Sequence, residues 1–238
     1  MLNETLVDYD IDGNTYEGVF VTPENAQNLP LVVIAHAWGG LGDNEIQKAR
    51  MVAEKFGYAA FAMDVYGKGK RGTTVEENMA LMNPLAENRP ELQARLLGGL
   101  NAAKAQPGID TSKVAAIGYC FGGLSVLDMA RTGMDVLGVG SLHGLLGSDG
   151  GSTDRKIKAK VLVEHGWLDP MASPADVVTF AEEMAATDAD WQLHAHGKAK
   201  HSFTTEGANN PEMGTVYDTD ADARSTDGIA RFLKELFA

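Results

Sequence analysis

The stretch Gly118-Tyr119-Cys120-Phe121-Gly122 carries the strongest signal in this chain. The apolar run before it, residues 114–117, is typical of a buried strand, and residues 123–131 after it have the pattern of a helix. A strand, a tight turn with glycine on both sides of a nucleophile, and a helix predict a nucleophile elbow, here with cysteine in the reactive position. Glycine suits the two flanking positions because the strained turn packs them very close together. In the alternative interpretation, Cys120 is a buried structural cysteine beside glycines in a loop.

The composition is that of one folded domain. With 238 residues, 44% apolar and 22% charged, the chain is expected to form a single α/β domain over residues 1–238. Cys120 is the only cysteine, so no disulfide can form within the chain and a reducing compartment is expected. The acidic start lacks the basic and apolar parts of a signal peptide, and no apolar run approaches the ~20 residues that span a bilayer. These features predict a cytoplasmic protein.

The net charge of −13 limits the range of partners. A surface of this sign repels phosphate backbones and anionic lipids, so neither nucleic acid nor membrane is an expected partner. It also opposes the approach of anionic substrates unless arginines near the site reverse the local potential. By default, the acidic surface is interpreted as one that keeps the protein in solution.

Alternating strand and helix patterns predict the fold class. Segments 5–10 and 16–21 flank Asp12-Gly13-Asn14 and predict an N-terminal hairpin. The further predicted strands are 31–35, 59–63, 114–119, 136–142, 160–165 and 191–196, and the predicted helices are 44–56, 74–85, 90–105, 121–131, 174–186 and 221–237. This order implies an α/β fold, a mostly parallel sheet with helices on both faces, whose functional residues collect at the carboxyl ends of the strands.

A cysteine that turns over acyl groups needs a base, and the base needs an orienting acid. In the α/β-hydrolase fold these residues follow the nucleophile in the order acid, then histidine. Asp169 follows predicted strand 160–165, and His201 lies five residues beyond predicted strand 191–196. Both therefore sit in loops at the carboxyl ends of strands, where they are expected to converge with Cys120.

Each partner of Cys120 has a simpler explanation or a competitor. Asp169 precedes a proline and could cap a helix or start a turn. Glu164 is another candidate acid, but it lies inside a predicted strand and is expected to point sideways. The histidines that compete with His201 are His36, His143, His165, His194 and His196. His194 and His196 share a strand face, which invites a zinc interpretation, but a third ligand at suitable spacing is missing, so no metal site is expected.

These motifs resemble the dienelactone hydrolases, also called carboxymethylenebutenolidases. The resemblance spans nearly the whole chain and is carried by residues 118–123, 165–170 and 201–203, with support from 36–40 and 64–67. It implies an α/β-hydrolase fold, a Cys120, Asp169, His201 triad, and an ester or lactone as the small-molecule substrate. It also implies that no metal or organic cofactor is required.

Two departures from the family pattern bear on the substrate and on the thiol. Dienelactone-cleaving members have a glutamate where this chain has Ala37, and that glutamate helps govern the charge of the cysteine. They also carry an arginine shortly after the histidine, where this chain reads His201-Ser202-Phe203-Thr204-Thr205. Arg71, Arg89 or Arg95 could replace that arginine, but the simpler expectation is a different and neutral substrate.

The sequence also suggests an oxyanion hole and a pocket. The backbone N–H of Phe121 and that of Ala37 are expected to hold the oxyanion of the tetrahedral intermediate. Candidate substrate-binding residues, which are equally explained by packing, are His36, Trp38, Tyr66, Phe203 and His143.

Taken together, the residues favour a cysteine-dependent ester or lactone hydrolase that acts through a thioester. A different class of function is a redox or electrophile sensor in which Cys120 is oxidised without hydrolytic turnover. A third is an inactive binding protein on the same fold. The aspartate and histidine argue against both, since neither function requires an oriented base.

Overall fold

The computed structural model describes residues 1–151 and 155–238. They form two compact units, 1–116 and 117–238, and strand β5 (Ile109–Tyr119) starts in the first unit and ends in the second. The longer strands belong to one mostly parallel sheet of eight strands. The predicted α/β architecture is thereby confirmed, while the assignment of 1–238 to a single domain stays a prediction.

The first unit combines the N-terminal hairpin with a pair of parallel strands. Its other elements are β1 (Leu2–Ile11), β2 (Asn14–Pro23), β3 (Leu29–Ala35), α1 (Asp43–Met51), β4 (Ala59–Met63), α2 (Val75–Glu87) and α3 (Arg89–Lys104). β1 and β2 are antiparallel and pair from Ile11 opposite Asn14 to Leu2 opposite Pro23. The predicted hairpin is confirmed and is longer than expected. β2 is antiparallel to β4, and β3 is parallel to β4.

The second unit contains three neighbouring parallel strands. Its elements are α4 (Phe121–Arg131), β6 (Gly138–Leu142), β7 (Lys160–Gly166), α5 (Pro174–Ala186), β8 (Trp191–His196), the short strands β9 (Asn209–Asn210) and β10 (Thr215–Val216), and α6 (Thr219–Leu236). β7 pairs in parallel with β6 on one side and β8 on the other. Because parallel strands end at the same edge, the loops after β6, β7 and β8 lie near one another.

Some boundaries differ from the predicted ones for local reasons. β5 starts at Ile109, five residues before the predicted start at residue 114. The prediction missed residues 109–113 because most of them are polar and partly or fully exposed, so they show no apolar pattern. The predicted helix 44–56 is α1 followed by a π-helical turn, Val52–Phe56, which ends at Gly57 with a φ of +74°. A π turn changes the hydrogen-bond spacing but keeps the apolar periodicity, so the sequence cannot reveal it.

A buried arginine ties α4 to α5 and to the loop after β6. The guanidinium of Arg131 donates to Glu183 at 2.6 and 2.9 Å and to the carbonyl oxygens of Leu146 and Gly147 at 3.0 and 2.9 Å. It also lies 3.4 Å from the buried carboxylate of Asp128. The bidentate geometry and the buried carbonyls make this an interaction whose loss removes several buried hydrogen bonds at once.

We expect Arg131→Ala to lower the free energy of unfolding by about 3 kcal/mol or more, because the substitution removes the buried guanidinium that Glu183 and Asp128 share. Urea unfolding followed by circular dichroism measures the change. The matched control is Arg224→Ala, which removes an exposed arginine 3.6 Å from Asp220 and should cost about 0.5 kcal/mol or less. Equal effects of the two substitutions would contradict the role given to Arg131.

Candidate active site

The turn around Cys120 has the strand–turn–helix geometry that the sequence predicts. β5 ends at Tyr119 and α4 begins at Phe121, and Cys120 between them has a φ of +56° and a ψ of −117°. A positive φ strains any residue with a side chain and is typical of functional turns. A Cβ on Gly118 would lie 2.0 Å from the backbone oxygen of Gly122, so no larger residue fits at Gly118 without opening the turn.

Cys120 is held in place by the backbone on both sides. Its N–H donates to the carbonyl of Leu142 at the end of β6, at 3.2 Å, and its own carbonyl accepts the N–H of Gly123 at 2.9 Å. The residue is buried, with about 9% of its surface exposed. Phe121, the predicted oxyanion donor, is the first residue of α4 and is buried. Its oxyanion role stays a prediction.

Asp169 and His201 form a buried pair. Asp169 lies in the turn after β7, where its N–H donates to the carbonyl of Gly166 and its Oδ1 accepts the N–H of Met171 at 2.7 Å. Its other oxygen, Oδ2, is 2.7 Å from Nδ1 of His201. A carboxylate in this position fixes the orientation of the imidazole and leaves Nε2 for a second partner.

The electrostatics of His201 link it to Cys120. Burial by itself lowers the pKa of His201, but the charge of Cys120 and the hydrogen bond to Asp169 outweigh this effect, and the pKa is raised to about 10. In the part of the chain that the structure describes, Nε2 is buried and has no partner at good hydrogen-bond geometry. The influence of Cys120 on this pKa indicates that Cys120 lies near His201, and the joint role of Cys120, Asp169 and His201 as a triad stays a prediction.

The competing acid, Glu164, is occupied elsewhere. Its buried carboxylate is 2.8 Å from Nδ1 of His194 and 2.8 Å from Nε2 of His196. It fits beneath α6 because residue 228 is glycine, on which a Cβ would lie 2.1 Å from Oε1 of Glu164. The two histidines on one strand face, which suggested zinc from the sequence, are thus partners of a carboxylate. Within residues 1–151 and 155–238, no group of three or more His, Cys, Asp or Glu has a metal-binding arrangement.

Two other predicted site residues flank His201 in the second unit. His143 follows β6, is buried, and its ring centroid is 5.2 Å from that of His201. Phe203 is also buried and lies 5.1 Å from the His143 ring. Their contact with a substrate stays a prediction, and both have clear packing roles.

The remaining predicted pocket residues join two loops of the first unit. Nε2 of His36 accepts the N–H of Val65 at 3.2 Å, and Nδ1 donates to the carbonyl of Ala37 at 2.7 Å. The hydroxyl of Tyr66 donates to the carbonyl of Trp38 at 3.0 Å. These contacts give the residues a structural role, and substrate binding by His36, Trp38 and Tyr66 stays a prediction.

Sequence reasoning missed a buried carboxylate beside Ala37. The N–H of Ala37 donates to Oε1 of Glu45 at 3.3 Å, and the N–H of Gly42 donates to Oε2 at 3.1 Å. The glutamate three residues after Gly42 is a helix-start signal that could have revealed the second contact but not the first. An oxyanion at Ala37, which stays a prediction, would have to compete with Glu45 for this N–H.

The comparisons with known proteins agree with this fold. A chain described as a dienelactone hydrolase-like promiscuous phosphotriesterase, P91, from metagenomic libraries is 32% identical, with 100% of this chain and 99% of that chain covered and a TM-score of 0.92. A second structure, titled m3DLH, is 30% identical over 100% and 99% of the two chains, with a TM-score of 0.94. The uncharacterized protein K02A2.1 from Caenorhabditis elegans is 39% identical over 156 residues, 64% of this chain and 99% of that protein.

The fold and these likenesses define an α/β-hydrolase, as the sequence predicted. The model of the dienelactone hydrolase family matches residues 16–237, and the chain belongs to that family. It is a hydrolase of ester or lactone bonds. Among the described helices, none has the length and apolar content needed to cross a bilayer.

We expect the pKa of His201 to fall from about 10 in Cys120→Ala, because a negative charge that raises it is removed. Asp169→Asn should also lower this pKa. NMR titration of protein with isotope-labelled histidine measures both, and His201→Gln assigns the signal by its disappearance. A His201 pKa that is the same in Cys120→Ala and in the wild type would show that the two side chains do not interact.

Proposed function

We propose that this protein hydrolyses carboxylic esters or lactones through a thioester on Cys120, with His201 as the base and Asp169 as the residue that orients it. The observation that supports this most is the state of His201, whose Nδ1 is bound to Asp169 at 2.7 Å and whose pKa is raised by Cys120. An imidazole that holds a proton beside a sulfur keeps a thiolate ready for attack.

The first half of the reaction transfers the acyl group to sulfur. The Cys120 thiolate attacks the carbonyl carbon, the C–S bond forms, and the carbonyl electron pair moves to oxygen. The backbone N–H of Phe121, at the start of α4, is the proposed donor to this oxyanion, with that of Ala37 as the second. When the intermediate collapses, the C–O bond to the leaving group breaks and Nε2 of His201 gives its proton to the alkoxide.

The second half releases the acid. His201, now neutral and still held by Asp169, accepts a proton from water as the water attacks the thioester carbon. The C–S bond breaks and the thiolate of Cys120 is restored beside a protonated His201. The same side chain thus serves as acid in the first step and as base in the second.

We further propose that the substrate is neutral. Arg95, a candidate to bind a carboxylate, donates to Glu91 at 2.7 Å and to the carbonyl of Val65 at 2.9 Å, and it lies over the Tyr16 ring. In the second unit, the buried guanidinium of Arg131 is bound to Glu183. With Arg95 and Arg131 engaged in these contacts and a net charge of −13, the surroundings favour a substrate that carries no negative charge.

A cytoplasmic location and the absence of nucleic-acid or membrane partners remain proposals from the sequence. They follow from the net charge of −13 and from the single cysteine. A thiol that must cycle through a thioester works best where it stays reduced.

We expect Cys120→Ala to lower kcat/KM for p-nitrophenyl butyrate by about 1,000-fold or more, and Asp169→Asn to lower it by about 100-fold, because nucleophile and base act as a unit. Stopped-flow assays and mass spectrometry of acylated Cys120 are the measurements, with Thr179→Val on the exposed face of α5 as the control variant. Nearly unchanged turnover in Cys120→Ala would exclude the thioester. If the wild type cleaves no ester while peroxide oxidises Cys120, the sensor function is correct instead.

We expect kcat/KM for p-nitrophenyl butyrate to exceed that for mono-p-nitrophenyl glutarate by about tenfold or more at low ionic strength. The difference should shrink at 0.5 M NaCl, because salt screens the repulsion of the carboxylate. Paraoxon belongs in the same assay series, since P91, 32% identical, is described as a promiscuous phosphotriesterase. Equal or better turnover of the glutarate ester would contradict the proposal of a neutral substrate.

A further inference from the structure

His143 meets all three elements that carry the proposed triad. The residue before it, Leu142, accepts the N–H of Cys120 at 3.2 Å. The N–H of His143 donates to the carbonyl of Glu164 at 2.8 Å, on the strand that leads to Asp169. The ring of His143 contacts the loop that carries His201. His143 and its neighbour Leu142 therefore contact the segments that carry the proposed nucleophile, acid and base.

The contact with the His201 loop is specific. Nε2 of His143 lies 2.9 Å from Oγ1 of Thr204, three residues after His201, and both side chains are buried. The rings of His143 and His201 form a T-shaped contact, with the centroids 5.2 Å apart and the planes at 64°. Phe203 packs against another side of the same ring, with the centroids 5.1 Å apart.

The backbone of His143 is strained where these contacts meet. Its φ is +37°, in the left-handed region that a residue with a side chain rarely adopts. Such a conformation persists only when the surroundings hold it, and it turns the chain sharply at the end of β6. The hydrogen bond to Thr204 and the ring contacts with His201 and Phe203 are among the interactions that hold the side chain in this conformation.

We propose that His143 is a positioning residue of this hydrolase: its imidazole, anchored to Thr204, sets the position and ring orientation of His201 relative to Cys120. The proposal rests on the function proposed above and goes beyond it by giving His143 a role other than substrate binding. A displacement of His201 of about 1 Å is enough to slow proton transfer strongly, so a positioning residue acts on kcat.

The hydrogen bond can be removed from either end. Thr204→Val keeps the shape of the side chain and removes the hydroxyl, whereas Thr204→Ser keeps the hydroxyl. His143→Leu removes the ring nitrogen, whereas His143→Gln places an amide near the position of Nε2. Thr179→Val, on the exposed face of α5, controls for the loss of a threonine hydroxyl elsewhere.

We expect Thr204→Val and His143→Leu each to lower kcat for p-nitrophenyl butyrate by about tenfold with KM changed less than twofold. The double variant should be no slower than the slower single variant, because both remove the same interaction. Thr204→Ser and His143→Gln should recover most of the loss. Circular dichroism verifies that each variant is folded, and if His143→Leu is not, Thr204→Val decides.

Three results would overturn the proposal. The first is a rise in KM with kcat unchanged in the single variants, which indicates substrate binding by His143. The others are losses of kcat that multiply in the double variant, and a wild-type kcat in Thr204→Val. The rate of Cys120 alkylation by iodoacetamide separates this proposal from the proposed function. If the wild type cleaves no ester, the proposed function fails. Alkylation of Cys120 that is about tenfold slower in Thr204→Val than in the wild type would still support the positioning role of His143, and an unchanged rate would refute it.

Discussion

The site depends on how closely the backbone of Gly118 approaches that of Gly122. A single added Cβ at Gly118 would overlap the carbonyl of Gly122, so the turn can close only around glycine. Closure gives Cys120 its φ of +56° and places it directly after the buried half of β5, residues 114–119. Opening the turn would move the sulfur of Cys120 away from His201. Cys120 would then no longer raise the pKa of His201.

Two carboxylates near the end of β7 bind different imidazoles because their positions in the chain and the space around them differ. Glu164 lies within the strand, and its carboxylate faces α6, where Gly228 leaves room for it. His194 and His196 on β8 bind the two carboxylate oxygens. Asp169 lies in the turn beyond the strand and is free to reach His201. A residue larger than glycine at 228 would displace Glu164 from this position, so Gly228 is required for the contacts of Glu164 with His194 and His196.

The parts of this molecule that could be predicted from sequence depend on short spacings. Neighbouring residues predict the elbow and the hairpin, and the alternation of strands and helices predicts the loops that carry Asp169 and His201. The structure has its strands and helices at these positions. The link from His143 to Thr204 spans 61 residues, and that from Ala37 to Glu45 joins a backbone amide to a side chain. Such contacts leave no periodic pattern, because each is decided by how loops pack after the strands are in place.

The absence of a glutamate at position 37 raises the question of how a thiolate is maintained. In the proposed mechanism the answer lies within the second unit, where Asp169 is a buried anion and His201 a cation whose pKa is raised to about 10. A thiolate at Cys120 gives the cluster two anions and one imidazolium, and the start of α4, directly after Cys120, adds partial positive charge. A carboxylate on the substrate would add a further negative charge to this cluster, which agrees with the proposal that the substrate is neutral.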